Sequence, residues 1–416
     1  MSPCLSATFR PAMAPYPLPP GTHAVCRTTL DLRPDAEIDA ELRDPAPVTS
    51  DKNIWLFWDS GLAGLPPHHL RTVRTYHRRF SRRGWTVRLV DRVPASPLNV
   101  DRYLDAADPS LFPAAFINGT LDGTYAAQHT SDLVRWPLLL AHGGAYVDVG
   151  LLPVGDLDAL WERTVADPTS DVEVLSYDGG PDRPRTLCNY FMAARRGNAF
   201  FARCHALFLR LWEGRTSTEG MHSHPLLRAV PPMGAGGLSF VEDGRTYGPA
   251  DISVLLSDYI AQGQVLTLVL GLVDAAGGWD GPAYAARRVF ALEFMTGAQL
   301  VNELTAWDGR RAFELLGLSL PGPEEAESED QGKAREIVER CLVESFAFKL
   351  ATGLIVRVMG PTLGSLWRQH PGADCVEGTY AHWLRYGTTW WCPDAPPTRV
   401  ERGVVRPLKE GKLLEA

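Results

Sequence analysis

Asp132, Arg135 and Asp148 are the side chains in this chain best suited to charged chemistry, and all three fall in one run, QHTSDLVRWPLLLAHGGAYVDVG, from Gln128 to Gly150. A carboxylate oxygen is a hard ligand for a divalent cation, and a guanidinium presents a planar fork to phosphate or to another carboxylate. Two acids and an arginine on consecutive elements of an α/β unit are therefore the groups with which such a fold gathers a phosphorylated ligand and its metal.

The elements that must position them are legible in the same run. Ser131 is placed as an N-cap, and Leu133, Val134, Trp136, Leu138, Leu139 and Leu140 supply the apolar surface of a helix entering a core. Pro137 falls inside that helix and removes one backbone bond, so a kink or a short first segment is expected. Gly143 and Gly144 close the helix, and residues 145–152 alternate as a strand does, with Tyr146, Asp148 and Gly150 on one face. Asp148 is thereby set near the carboxyl end of a parallel strand, the end at which open α/β sheets bind ligands. Asp132 and Arg135 are three residues apart and share one face of the helix.

Around this unit the chain alternates strands and helices. Asn53 to Trp58 (NIWLFW) reads as a buried strand, Pro66-Pro67 opens an amphipathic helix with Leu70, Val73, Tyr76, His77 and Phe80 at helical spacing, Gly84 ends it, and Trp85 to Val90 forms a second strand. Asp59 follows the first strand at its ligand-binding end. Strands are expected over residues 171–177 and 187–194, and a helix over 199–212. MGAGG (233–237) lacks the spacing of a phosphate-binding glycine motif and reads as a loop. Residues 1–50, rich in proline and charge, are expected to form an extended or partly disordered arm, 51–320 the main domain, 321–333 an acidic linker, and 334–416 a helical, aromatic-rich cap. After the acidic stretch, Lys333 to Val358 reads as one long helix or two shorter ones. Tyr380 to Trp391 packs five aromatics into a segment that suits core packing or stacking on an acceptor.

Composition narrows the class. The 416 residues are 45% hydrophobic and 22% charged with a net charge of −8, which fits a globular protein and argues against nucleic-acid binding, since that requires clustered excess Lys and Arg. The seven cysteines are widely spaced without a CxxC pair, so reduced thiols are expected in place of a zinc knuckle or a disulfide framework. No secretory leader is recognisable, and the most apolar stretch, Val265 to Val273, is too short to span a bilayer. A cytoplasmic enzyme without a membrane span is the expectation.

Four pieces, in order, resemble the capsular polysaccharide synthesis proteins, relatives of glycosyltransferases with a DxD sugar-binding region. They are Ile54-Trp55-Leu56-Phe57-Trp58 with Gly61 and Pro66, then Ser131-Asp132-Leu133-Val134-Arg135, then Gly143-Gly144-Ala145-Tyr146-Val147-Asp148, and Asn189-Tyr190-Phe191-Met192-Ala193-Ala194 leading to Gly197-Asn198. Fungal proteins of the same label, some encoded beside small-molecule biosynthesis genes, look closer still in NIWLFWDSG and in the aspartate followed by Val-Gly. The resemblance implies an α/β, GT-A-like fold: a Rossmann-type sheet flanked by helices, with a helical C-terminal region. It implies transfer of a sugar from a nucleotide-sugar donor to a small-molecule or polysaccharide-precursor acceptor, in a secondary-metabolite or capsule-type pathway. It also implies a divalent cation, Mn²⁺ or Mg²⁺, with Asp148 as the metal ligand and Asp132, Arg135, Asp59, Tyr146 and Asn189 at the donor.

One departure stands out. Where the general pattern has a second acid this chain has Gly150, which leaves open a weaker metal site, metal-independent transfer, or a non-catalytic sugar-nucleotide-binding protein that keeps the sheet. Asp132 with Arg135 reads equally as a structural ion pair, and His222 and His224 read as surface histidines or as late additions to a metal site. No general base is identifiable from sequence.

Overall fold

The computed structural model describes residues 15–180 and 186–416. Its centre is a six-stranded sheet built from β1 (Asn53–Phe57), β2 (Thr86–Val90), β3 (Gly144–Val147), β5 (Val174–Asp178), β6 (Leu187–Ala194) and β7 (Val289–Leu292); β4 (Leu151–Pro153) and β8 (Ala347–Lys349) pair separately. The spatial order is β7-β5-β6-β3-β1-β2. β1 runs parallel to both β2 and β3, and β5 parallel to β7, while β6 runs antiparallel between β3 and β5. This is a mixed α/β fold whose β3-β1-β2 half is Rossmann-like.

Period-two alternation divides the sheet's side chains between two layers. Ile54 and Leu56 pack on one face with Val73, Tyr76 and Phe80 of helix α1 (Pro67–Phe80). Trp55 and Phe57 pack on the other with Leu133, Val134, Trp136 and Leu138 of helix α2 (Ala126–His142) and with helix α3 (Ala199–Leu211). Pro66 stands at the N-cap of α1 and Pro67 at its first position, as proline's fixed φ favours.

The C-terminal segments pair back with earlier ones. The strand Trp391–Pro393 pairs with Thr22–Ala24, β8 pairs antiparallel with β4, and Lys409–Glu410 extends a small sheet beside Leu272–Asp274. The aromatic tail expected at Tyr380 to Trp391 is helix α6 (Tyr380–Trp390) plus the start of that strand, after α4 (Ala261–Leu270) and α5 (Glu329–Glu344). Trp383, Tyr380 and Trp391 are buried in the core it shares with α5, so packing is their role here.

Four local expectations are revised. Helix α2 starts at Ala126, five residues before Ser131, and passes through Pro137; Ser131 is interior, and its hydroxyl joins a polar network in place of a cap. Residues 145–152 are not one strand, because the chain turns at Val149-Gly150 and β4 leaves for a different sheet. Residues 333–358 contain a strand, β8, between α5 and a helix over Leu354–Met359. Residues 329–333, expected in the acidic linker, already belong to α5, which opens with a Ser328–Gln331 capping box. Of the N-terminal arm, residues 1–14 lie outside the described residues; the helix Asp35–Arg43 is docked on α1 through Arg74 with Asp35 and Asp39, and Arg78 with Asp35.

Candidate functional site

The turn after α2 explains why Asp148 stands where it does. Gly143 and Gly144 both have positive φ (66° and 105°), and a Cβ on Gly144 would lie 2.2 Å from the carbonyl oxygen of Asn53. Only glycine lets β3 start that close to β1. With the strand fixed, Tyr146 faces inward under α2, and Asp148 emerges just past the carboxyl end of β3, its backbone N–H donating to Tyr190 O at 2.9 Å.

Arg135 is the hub of what gathers there. Its Nη2 lies 2.8 Å from Asp132 Oδ1 and 3.8 Å from Asp148 Oδ1, and it also donates to Ser131 Oγ at 2.9 Å. Nη1 donates to the carbonyl of Asn189 at 2.6 Å, and the guanidinium stacks 4.6 Å over the Tyr146 ring, whose hydroxyl is 2.6 Å from Ser131 Oγ. Burial opposes a charged guanidinium, but the carboxylates of Asp132 and Asp148 override it and hold the pKa of Arg135 above the ordinary arginine value. The same burial pushes the Tyr146 phenol well up, so it stays a neutral hydrogen-bonding group.

Asp132 is buried and fully engaged. Besides Arg135, its carboxylate accepts from Asn189 Nδ2 at 3.2 Å and lies 3.3 Å from His129 Nδ1, while its main-chain carbonyl accepts from Gln262 Nε2 of α4 at 2.7 Å. Asp148 is different. It keeps 29% side-chain exposure, the largest among these charged groups, and its Oδ2 is met at 2.6 Å by the ammonium of Lys349. Lys349 closes β8; register with β4 (Lys349 opposite Leu151) and the bond from Leu350 N–H to Gly150 O at 2.7 Å hold it there, 5.2 Å over the Tyr190 ring.

Of the sequence-derived candidates, Asp132, Arg135, Tyr146, Asp148 and Asn189 converge on this cluster. Asp59 does not: it stands exposed beyond β1 at the same end of the sheet, its main-chain carbonyl accepting from Arg92 N–H. His222 lies 2.8 Å from Asp258 at Nδ1 and is occupied there. Lys349, Gln262 and His129 went unrecognised. His129 is one helical turn before Asp132 and was available to a spacing argument, and Lys349 is a lone lysine within the apolar run SFAFKLA; Gln262 carried no such signal.

A donor set for a divalent cation is present in limited form. Asp148 is the one part-exposed carboxylate of this cluster, and the space for a second acid at Gly150 is tight: its Cβ would sit 3.1 Å from Leu350 O and 3.4 Å from His69 Cε1, so these neighbours would have to give by a few tenths of an ångström. One carboxylate fits an ion that takes its remaining ligands from phosphate and water, as Mg²⁺ commonly does, and does not fit an all-protein cage. Elsewhere, Asp31, Glu41 and His77 bring ligand atoms within 4.8 Å of one another, the one such group among the described residues, but Arg33 already binds both acids.

The cationic and acidic cluster lies at the carboxyl end of a Rossmann-like half-sheet in a mixed α/β protein, the end at which open α/β sheets bind ligands, and comparison with known sequences specifies the class. The sequence profile described as capsular polysaccharide synthesis protein matches residues 25–220. The O-glycosyltransferase braB of Annulohypoxylon truncatum is 34% identical over 89% of this chain and 87% of its own length. The glycosyltransferase afumC of Aspergillus fumigatus is 36% identical over 84% and 88%, and the O-glycosyltransferase PaGT of Phomopsis amygdali 32% identical over 89% of each. The chain belongs to this glycosyltransferase family. A solved structure, PaToxG Glycosyltransferase, aligns with 14% identity and a TM-score of 0.30 over 75% of this chain and 96% of that one, too loosely to inform the site.

Proposed function

We propose that the protein transfers a sugar from a nucleotide-sugar donor to the hydroxyl of a small molecule, with the donor's diphosphate seated at the Arg135–Asp148–Lys349 cluster. The observation that carries this is the convergence, on one part-exposed carboxylate, of a buried guanidinium and an ammonium at the ligand-binding end of the sheet. Two of the relatives bear the name O-glycosyltransferase, which supports an oxygen acceptor.

Each group has a physical task in this reading. Asp132, held by Asn189, Gln262 and His129, fixes Arg135 in one orientation, so the guanidinium is preorganised and does not reorganise as charge develops on the leaving diphosphate. Tyr146 and Ser131 form the floor that keeps Arg135 in place. A Mn²⁺ or Mg²⁺ ion would be held by Asp148 and would supply further positive charge to the same leaving group.

Thermal shift with UDP-sugars and GDP-sugars tests the reading. Saturating donor is expected to raise the melting temperature, and Asp148→Ala to abolish the rise. Repeating the titration in chelator reads the part played by the ion. No shift with any nucleotide sugar sinks the donor-site assignment.

A further inference from the structure

Lys349 is the feature that neither the motif nor the family match accounts for. It lies far along the chain from the acid-bearing motif, outside the residues matched by the family profile, and is delivered to Asp148 by the β4–β8 pairing. It is not a mobile surface lysine: its side chain is 14% exposed, its strand is registered against Leu151, and Tyr190 lies beneath the ammonium.

The charges count unequally before and after a donor arrives. Asp132, Asp148, Arg135 and Lys349 sum to zero as they stand, so a diphosphate bearing about two negative charges enters a neutral cluster and leaves it with an uncompensated excess in a partly desolvated place. Balance returns if a divalent cation enters with the diphosphate at Asp148. The ammonium at Oδ2 stands in the path of that exchange, because one carboxylate oxygen cannot hold an ammonium at 2.6 Å and a metal at the same position.

We propose that Lys349 is a reserve ligand for the donor: its ammonium neutralises Asp148 in the free enzyme, and on donor binding it passes from the carboxylate to the diphosphate, freeing Asp148 for the cation. This rests on the donor-site reading above. It gives the lysine two duties, excluding a bare metal from an empty site and adding a second protein cation to the leaving group. In the transfer itself the bond from the anomeric carbon to the diphosphate oxygen breaks with its electron pair left on that oxygen. The acceptor oxygen forms the new bond to the carbon, and the acceptor's proton ends on the released nucleoside diphosphate. Lys349 stabilises the charge left on that oxygen and exchanges no proton.

The test uses Lys349→Met and Lys349→Gln in the full chain, with circular dichroism and thermal melting to confirm folding. Free Mn²⁺ measured by electron paramagnetic resonance, without nucleotide, reads the first duty. Removing the competing ammonium is expected to tighten Mn²⁺ binding by about tenfold, as fits a charge-assisted bond worth about 1.5 kcal/mol or more. UDP-glucose and GDP-mannose binding, read by thermal shift with Mn²⁺ present, reports the second, with an expected loss of about tenfold or more in affinity. Unchanged Mn²⁺ affinity in a folded variant overturns the exchange, and unchanged donor affinity overturns the phosphate contact. If neither variant folds, Lys349 is a structural member of the β4–β8 pair and the proposal is wrong. The Mn²⁺ arm needs no donor, so a protein that binds no nucleotide sugar fails the donor-site reading in the wild type, separately from this outcome.

Discussion

At Gly150 the chain lacks the second acid of a DxD pair, and the space around it is tight. Leu350 lays its carbonyl oxygen and Cβ within 3.1 and 3.6 Å of where a side chain would begin, with the His69 ring 3.4 Å from the same point. Restoring the acid therefore requires these neighbours to give way. Gly150→Asp is expected to lose about 1–3 kcal/mol of stability in denaturant titration through overpacking, with no gain in Mn²⁺ affinity. A variant as stable as the parent that binds Mn²⁺ more tightly would show that the glycine is a lost ligand and not a packing requirement. Asp148, by contrast, was identifiable from its neighbours alone, because a double glycine followed by a short apolar run and an acid leaves few places for the acid to be.

Helix α1 carries an unusual load for an amphipathic helix. Its expected apolar stripe is buried as the spacing implied, apart from the half-buried Leu70, yet His68 and His69 at its start are buried too, and both ring nitrogens of His68 and Nδ1 of His69 are enclosed without a hydrogen-bond partner. Burial, followed by the nearby Arg385, pushes the pKa of His68 down to about 4, with Asp374 opposing and Arg71 and Arg368 adding to the effect; burial lowers His69 as well, aided by His68, Arg385, Lys349 and Arg368. A histidine whose folded pKa lies below its unfolded value stabilises fully above the unfolded pKa and loses that contribution as pH falls toward the folded one. Stability should thus fall between about pH 6.5 and pH 4, by up to about 3 kcal/mol for His68, and the melting temperature with it. His68→Leu should make that decline shallower in melts recorded across the range; an identical slope would place the acid sensitivity elsewhere, with His205, also held near pH 4 by burial, the next to test. Periodicity revealed α1 as a helix and its apolar face, but a histidine at a helix start reads as solvent-facing until another layer covers it. Here the cover is α6, whose Arg385 donates to the carbonyl of His68 at 2.9 Å.

Across the whole molecule, the segments after residue 344 complete the candidate site and its supporting layer. β8 supplies Lys349, the strand Trp391–Pro393 pairs with the N-terminal Thr22–Ala24, and buried Arg385 joins Asp374 while donating to Thr72 of α1. Ending the chain after Glu344 removes all of these and exposes the apolar faces of α1 and β4. Such a truncation is expected to melt without a cooperative transition in circular dichroism; a cooperative melt near that of the full chain would mean that the main sheet folds on its own. The division into a main domain and a later cap followed composition, which changes at the acidic stretch, whereas strand pairing ignores composition and ties the last segments back to the first.

The α/β alternation, the helix into which Asp132 and Arg135 are built, the strand ending just before Asp148 and the family itself were all set by short-range pattern: period-two and period-3.6 burial, glycine at positive φ, and a motif contained within 23 consecutive residues of the chain. The approach of Lys349 to Asp148, the crowding at Gly150 and the separation of Asp59 from the cluster belong to tertiary structure. They depend on which strand lies beside which, and a pairing across about 200 residues has no local physical cause for a sequence to display.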